Sequence, residues 1–242
     1  MEPILKLESI HTFIGQFHIL EGVSIEVPRD SITVLLGRNG AGKTTTLKSI
    51  LGLTPPREGK VIFDGREVQG KRAYDVANFG IGYVPEHRAV FRNLSVMENL
   101  RIAEKKRGDF DRKADFIFDL FPDLKRLYKL PGNHLSGGQQ QMLAVARALV
   151  ADNKLLLIDE PSEGLAPILI EQMMAAIKEL SKTTTILLVE QNFIMASQLA
   201  ETFYIIDDGK TVENGKMADL VKNEELVKRY LGVNIGKVGG AE

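Results

Sequence analysis

The run GRNGAGKTT, residues 37–45, constrains this chain more than any other stretch. It follows the apolar segment ITVLL (32–36) and opens the helix-forming segment KTTTLKSIL (43–51), which Gly52 stops. A strand, a glycine loop and a helix with the spacing G-x-x-x-x-G-K-[ST] form an arrangement that wraps a phosphate. Gly37, Gly40 and Gly42 permit a tight turn, and the backbone N–H groups from Gly37 through Arg38, Asn39, Gly40, Ala41 and Gly42 point inward as an anion nest. Lys43 can bridge the β- and γ-phosphates, the Thr44 hydroxyl can ligate Mg²⁺, and Thr45 continues the binding loop into the helix. These residues predict a nucleoside-triphosphate site and leave kinase, GTPase, ATPase and passive binder open.

Around this loop, strand and helix signals alternate. LKLESI (5–10) and ILEGVSIEV (19–27) read as strands, PRD (28–30) as a turn, and KVIFDGREV (60–68) as a hairpin about Asp64-Gly65. IGYVP (81–85), KLLLID (154–159) and TTILLVE (184–190) read as strands, the last two with a helix between them. FYIIDDGKTVENG (203–215) reads as a closing hairpin, and the tail from about residue 218 as a short helix followed by a loose GKVGGAE. Such alternation predicts an α/β core with a parallel sheet. Between residues 86 and 150 the strand signals fade, and SVMENLRIAEKKR (95–107), DRKADFIFDLF (111–121) and the run to Val150 read as helices. The chain is therefore expected to be one domain, residues 1–242, with 1–85 and 151–242 as a nucleotide-binding core and 86–150 as a helical insert.

A second candidate anion site lies in that insert, in HLSGGQQQMLAVARALV (134–150). Met142, Val145, Ala146 and Leu149 recur at helical spacing, and Ser136 is a good N-cap. Gly137 and Gly138 weaken the helix start and strip it of side chains, leaving bare N–H groups that suit an anion. The strand KLLLID supplies the acids: Asp159 to support the metal, commonly through water, and Glu160 to orient and deprotonate an attacking water. A nucleotide kinase needs no second acid, so hydrolysis is favoured. One chain would struggle to close both glycine sites around one ATP. Two chains head to tail can do it, each offering Ser136, Gly137 and Gly138 to the other's γ-phosphate.

The bulk numbers exclude several alternatives. Lys+Arg number 31 and Asp+Glu 32, unlike a dedicated nucleic-acid binder. There are no cysteines, which removes disulfides and thiolate metal sites and fits a reducing compartment. MEPILKLESI lacks the pattern of a signal peptide, and no apolar run approaches the roughly 18 residues of a membrane helix. A soluble chain is expected, with any membrane role arising through a partner. His11, His18, His87 and His134 are scattered and read as surface or packing residues.

GRNGAGKT (37–44), LSGGQ (135–139) and LLLIDEPS (155–162), in this order and spacing, resemble an ABC-transporter ATPase subunit over nearly the whole chain. The resemblance implies a P-loop core with an N-terminal antiparallel β subdomain, an inserted helical subdomain, and a nucleotide-sandwich dimer in which Gln139 joins Ser136, Gly137 and Gly138 at the nucleotide. It also implies a boundary loop that contacts membrane subunits at the cytoplasmic face of the inner membrane. The loop glutamine usual in the family is Glu86 here, expected near the metal; the usual γ-phosphate histidine is Gln191, a neutral donor that cannot become cationic. The usual adenine-stacking aromatic falls at Ile14, before Gly15. Phe13 is expected to point the other way along its strand, and Phe17 is a further possibility. Ser162 is expected at the dimer interface. VPEHR, LSGGQQQMLAVARAL, EGLAP and VEQN resemble the second ATPase subunit of branched-chain amino acid importers, with urea or amide import and lipopolysaccharide export as related alternatives. A soluble switch of the same fold usually carries two fused units or a long coiled coil, and a non-hydrolysing scaffold would not keep Lys43, Asp159 and Glu160 together.

Overall fold

A computed structural model describes residues 2–233, so the GKVGGAE segment lies outside the described residues. β1 (Leu5–Ile14) and β2 (Phe17–Val27) form a hairpin, and β3 (Ile32–Leu36) leads into α1 (Lys43–Ile50). β4 (Glu58–Phe63) turns at Asp64-Gly65 into β5 (Arg66–Glu67), then α2 (Ala73–Asn78) precedes β6 (Ile81–Val84). Next come four α-helices in succession: α3 (Val96–Arg101), α4 (Asp109–Leu120), α5 (Pro122–Arg126) and α6 (Gly137–Val150). The chain continues with β7 (Leu155–Asp159), α7 (Pro167–Leu180), β8 (Thr185–Val189), α8 (Phe193–Leu199), β9 (Thr202–Asp207), β10 (Lys210–Lys216), α9 (Met217–Leu220) and α10 (Glu224–Leu231).

The strands make two sheets. One is antiparallel, ordered β2-β1-β4-β5; the other is ordered β10-β9-β3-β8-β7-β6 and is parallel except where β10 meets β9. This is the P-loop α/β arrangement with an antiparallel N-terminal sheet that the motifs imply. β3, β7 and β8 are buried at every position, which is why their sequences are continuous apolar runs without alternation. The period of two survives in what each residue touches. Val34, Leu36, Leu156, Ile158, Ile186 and Leu188 share a core with Phe110, Ile117 and Val145 of the helical segment. Leu35, Leu157, Leu187 and Val189 share the other with Leu5 and Val23 of the antiparallel sheet and Leu47 of α1. The central sheet therefore seals two hydrophobic layers. Because β3, β7 and β8 run the same way, residues 37–42, 160–166 and 190–192 leave at the carboxyl edge of the sheet, where open α/β sheets bind ligands.

Local chemistry shifts some boundaries. The helix expected over 95–107 ends at Arg101. Asp109 draws the N–H groups of Lys105 and Lys106 to its carboxylate at 3.2 and 2.8 Å, and Glu104 takes that of Phe110 at 3.1 Å. These side chains offer the backbone an alternative to the helical ladder. The strand expected over 5–10 runs on to Ile14 past a register shift after Leu7, where Ser9 has φ 45°. Helices α2, α5 and α8 carry too few residues for a periodic signal.

Candidate nucleotide site

The loop from Gly37 to Gly42 is forced by backbone space. A Cβ on Gly37 would lie 2.3 Å from the carbonyl oxygen of Ile206, and Gly42 caps α1 with φ 110° and no capping side chain. The first N–H groups of α1 therefore have no side-chain acceptor of their own. Lys43 is 4% exposed, and its ammonium reaches Gly37 O at 3.0 Å, Arg38 O at 3.2 Å and the Glu160 carboxylate at 3.0 Å. Arg38 turns away, donating to Arg229 O on α10 at 3.2 Å.

The Thr44 hydroxyl donates to Asp159 Oδ1 at 3.1 Å, and the Tyr83 hydroxyl to Oδ2 at 3.4 Å. Burial pushes the Asp159 carboxyl up to about 6; the Thr44 bond opposes this and the charges of Glu160 and Glu86 add to it. Glu160 has a left-handed φ of 43°, and its N–H is held by Val189 O at 2.9 Å. A cavity of about 410 Å³ opens over these groups, with Ile14, Ile19, Lys43, Thr44, Glu86 and Glu160 in its walls. Its walls combine glycine N–H groups, the Lys43 ammonium, the Thr44 hydroxyl and the Glu160 carboxylate paired to that ammonium, with Asp159 buried behind Thr44; such a set can hold a triphosphate and, once Glu160 leaves its ion pair, activate a water beside it. Glu86 thus faces the same space as Thr44. Thr45 and Asn39 also border it.

Residues Ser136, Gly137, Gly138 and Gln139 are not in the walls of that cavity among the described residues. Ser136 caps α6 in a capping box: its Oγ accepts from Gln139 N at 3.3 Å, and Gln139 Oε1 accepts from Ser136 N at 2.9 Å. The helix itself offers the Gly137 and Gly138 N–H groups no acceptor. The glycine pair also has a packing cause that the sequence did not expose. A Cβ on Gly137 would meet the Arg88 guanidinium at 2.4 Å, and one on Gly138 would meet Leu169 Cδ1 at 2.3 Å.

The remaining expected residues divide. Gln191 is exposed in the loop after β8 and is not in the walls of the cavity. Ser162 turns its hydroxyl inward to Glu190 at 3.0 Å. Phe13 lies off the cavity, stacked on His18 at 4.1 Å with the Arg57 guanidinium over its ring, and Phe17 is 66% exposed. The cavity wall there is aliphatic, Ile14 and Ile19. Two of the scattered histidines do meet: His11 Nδ1 lies 3.1 Å from His18 Nε2 across the β1–β2 hairpin. Glu190, Tyr83 and Arg88 escaped sequence reasoning. For Glu190 a signal existed, since TTILLVE runs an apolar strand into an acid just as KLLLID does.

Comparison with known proteins agrees with this geometry. Residues 20–163 match the family described as ABC transporter. The high-affinity branched-chain amino acid transport ATP-binding protein BraG of Pseudomonas aeruginosa is 38% identical over 232 residues, covering 95% of this chain and 100% of BraG. The probable branched-chain amino acid transport ATP-binding protein LivF of Archaeoglobus fulgidus is 35% identical, covering 95% and 99%. The lipopolysaccharide export system ATP-binding protein LptB of Escherichia coli K12 is 32% identical, covering 88% and 91%. Among solved structures, the ADP conformation of MJ1267, an ATP-binding cassette of an ABC transporter, superposes with a TM-score of 0.85 at 27% identity, covering 99% of this chain and 100% of that one. With a phosphate nest, its lysine and paired acids at the carboxyl edge of the same fold, the chain belongs to the ABC transporter family and is one of its ATPases.

Proposed function

We propose that this ATPase powers import of branched-chain amino acids through a membrane permease, working as a head-to-tail pair of ATPase chains on the cytoplasmic face of the membrane. The observation that carries the catalytic part is the meeting of Lys43, Thr44 and Glu160 in the walls of one cavity, with Asp159 buried behind Thr44 and hydrogen-bonded to it. The cargo rests on BraG and LivF, which match this chain over nearly their full lengths. No helix among the described residues is long and apolar enough to cross a membrane, so passage of cargo falls to partner subunits.

In this reading the triphosphate enters the nest of residues 37–42, and its anionic oxygens take the Lys43 ammonium from Glu160. Glu160, released from its ion pair, then accepts a proton from the attacking water. Thr44 and Asp159 offer a hydroxyl and a carboxylate 3.1 Å apart, hard oxygen donors that fit Mg²⁺ with phosphate and water completing its shell. Bound Mg²⁺ would neutralise charge developing on the phosphates. Glu86 faces the same space and adds a third oxygen donor toward it. The N–H groups of Gly137 and Gly138 on a second chain approach the γ-phosphate from the opposite side, with Ser136 and Gln139 framing them. Gln191, exposed in the loop after β8, would sense the γ-phosphate through one neutral hydrogen bond. Residues 86–150 act as the insert that carries this second site. At the boundary of insert and core, Tyr83, Pro85, Val90, Phe91 and Ala144 line an apolar cavity of about 480 Å³ that suits a permease segment.

LptB, 32% identical, supports lipopolysaccharide export as a second reading. The two separate when the chain is purified with its membrane partners and reconstituted in vesicles. ATP-dependent accumulation of leucine, isoleucine or valine is expected, and lipopolysaccharide extraction without amino acid uptake would overturn the import reading.

A further inference from the structure

Glu190 is 1% exposed and lies one residue beyond β8, at the edge where the nucleotide site forms. Its carboxylate meets neutral donors. Oε1 accepts from Ser162 N at 3.1 Å, and Oε2 accepts from Ser162 Oγ at 3.0 Å and from Asn192 N at 3.1 Å. Its own N–H bonds to Leu35 O at 3.3 Å, on the strand that feeds the phosphate loop. No salt bridge reaches it among the described residues, and burying a carboxylate without a cation costs stability. That cost falls at one place in the fold: between the loop that carries Glu160 and Ser162 and the loop that carries Gln191.

We propose that Glu190 is a positioning residue, a buried clasp that binds the Pro161–Ala166 loop to the Gln191–Asn192 loop so that both move as one body. It acts through Ser162 and Asn192 and touches no substrate. This inference rests on the two-chain reading above. A second chain pressing on the Ser162 loop then displaces Gln191 and the backbone around Glu160 together, linking closure of the interface to the γ-phosphate. Alanine at position 190 uncouples the loops. Glutamine keeps one acceptor oxygen and restores part of the link, although its amide N–H₂ faces a donor.

The test uses the full chain: ATPase rate against ATP concentration for E190A, E190Q, S162A and E190A/S162A, with the melting temperature of each. E190A is expected to lower kcat about tenfold while KM for ATP stays within about twofold. E190Q should recover part of that loss, and the double variant should be no slower than E190A. Wild-type kcat in E190A, a change confined to KM, or losses at 190 and 162 that multiply independently would overturn the clasp. If E190A fails to fold, E190Q, S162A and the double variant E190Q/S162A decide: lowered kcat in both singles, combining less than multiplicatively in the double, supports it, and independent losses refute it. The two-chain reading is judged separately, by whether E160Q dimerises with ATP. A monomer there with the E190A kcat loss intact would refute the pair and keep the clasp.

Discussion

Helices α1 and α6 both begin where glycine leaves the backbone bare, and they begin differently. α1 starts from Gly42 in a left-handed conformation with no capping side chain, and Lys43 at its first position is buried against Glu160. α6 starts from Ser136 in a closed capping box, exposed, with the Arg88 guanidinium packed over Gly137. The first brings uncapped N–H groups and a buried ammonium together within one chain, the ammonium paired with an internal acid. The second has its serine satisfied by its own helix and keeps only two N–H groups to offer. What this teaches is a division of labour. On the two-chain reading proposed above, binding belongs to the α1 half and catalysis waits for a partner's α6 half, since the start of α6 is not in the walls of this chain's cavity among the described residues.

That division breaks most visibly at Glu160. Changing it to glutamine removes the base while leaving the nest intact, so turnover should fall about 10²–10⁴-fold with ATP binding retained. Size measurement with ATP and Mg²⁺ should then show a trapped dimer, and a monomer would contradict the scheme. S136R comes next. It blocks the exposed helix start, and ATP binding to the monomer should stay within about twofold while ATPase falls by about 10²-fold, the scale of losing a transition-state hydrogen-bond donor. Loss of ATP binding in S136R would mean that the two halves are not separable. I14A probes how the α1 half holds the base. Trimming this aliphatic wall should raise KM for ATP about two- to fivefold by lost apolar contact, and I14Y should lower it by adding a stacking face.

The smallest effect concerns pH. Burial pushes the Glu190 carboxyl up to about 7, with hydrogen bonds from Asn192 and Ser162 opposing that rise. The folded chain thus holds this proton more tightly than the unfolded one, so the group's contribution to stability grows as pH falls from about 7 toward the ordinary glutamate value near 4.5. Asp159 shifts in the same direction, but it is common to wild type and E190Q and largely cancels in their difference. Denaturant unfolding should show the stability of wild type relative to E190Q to be more favourable at pH 5 than at pH 8. The opposite slope would mean that the carboxylate is stabilised in its ionised form.

What the sequence revealed follows the same division. The α1 half was legible because strand, loop, lysine and helix are contiguous, and each residue's part follows from its neighbours. Asp159 and Glu160 were legible for the same reason, at the end of an unbroken apolar strand. The contacts that escaped are those made by neighbours in space. Glu190 meets Ser162 only because β8 lies beside β7, 28 residues away along the chain. Arg88 meets Gly137 only because the turn after β6 folds over the start of α6. The aliphatic wall of Ile14 and Ile19 depends on hairpin register, including a shift between Thr12 and Phe13 that no alternation pattern records. Helix α3 ended early through side chains eight or more residues beyond its start.

The central claim is that the start of α1 in one chain and the start of α6 in another close on one triphosphate, and the absence of native cysteine makes it directly measurable. In the E160Q background, one population would carry N39C beside the phosphate loop and another H134C beside the α6 start, both exposed positions. On mixing with ATP and a short bismaleimide, the account predicts a cross-link between positions 39 and 134 of different chains, absent without nucleotide. ATP-loaded chains that stay monomeric, or that link only position 39 to position 39, would contradict it.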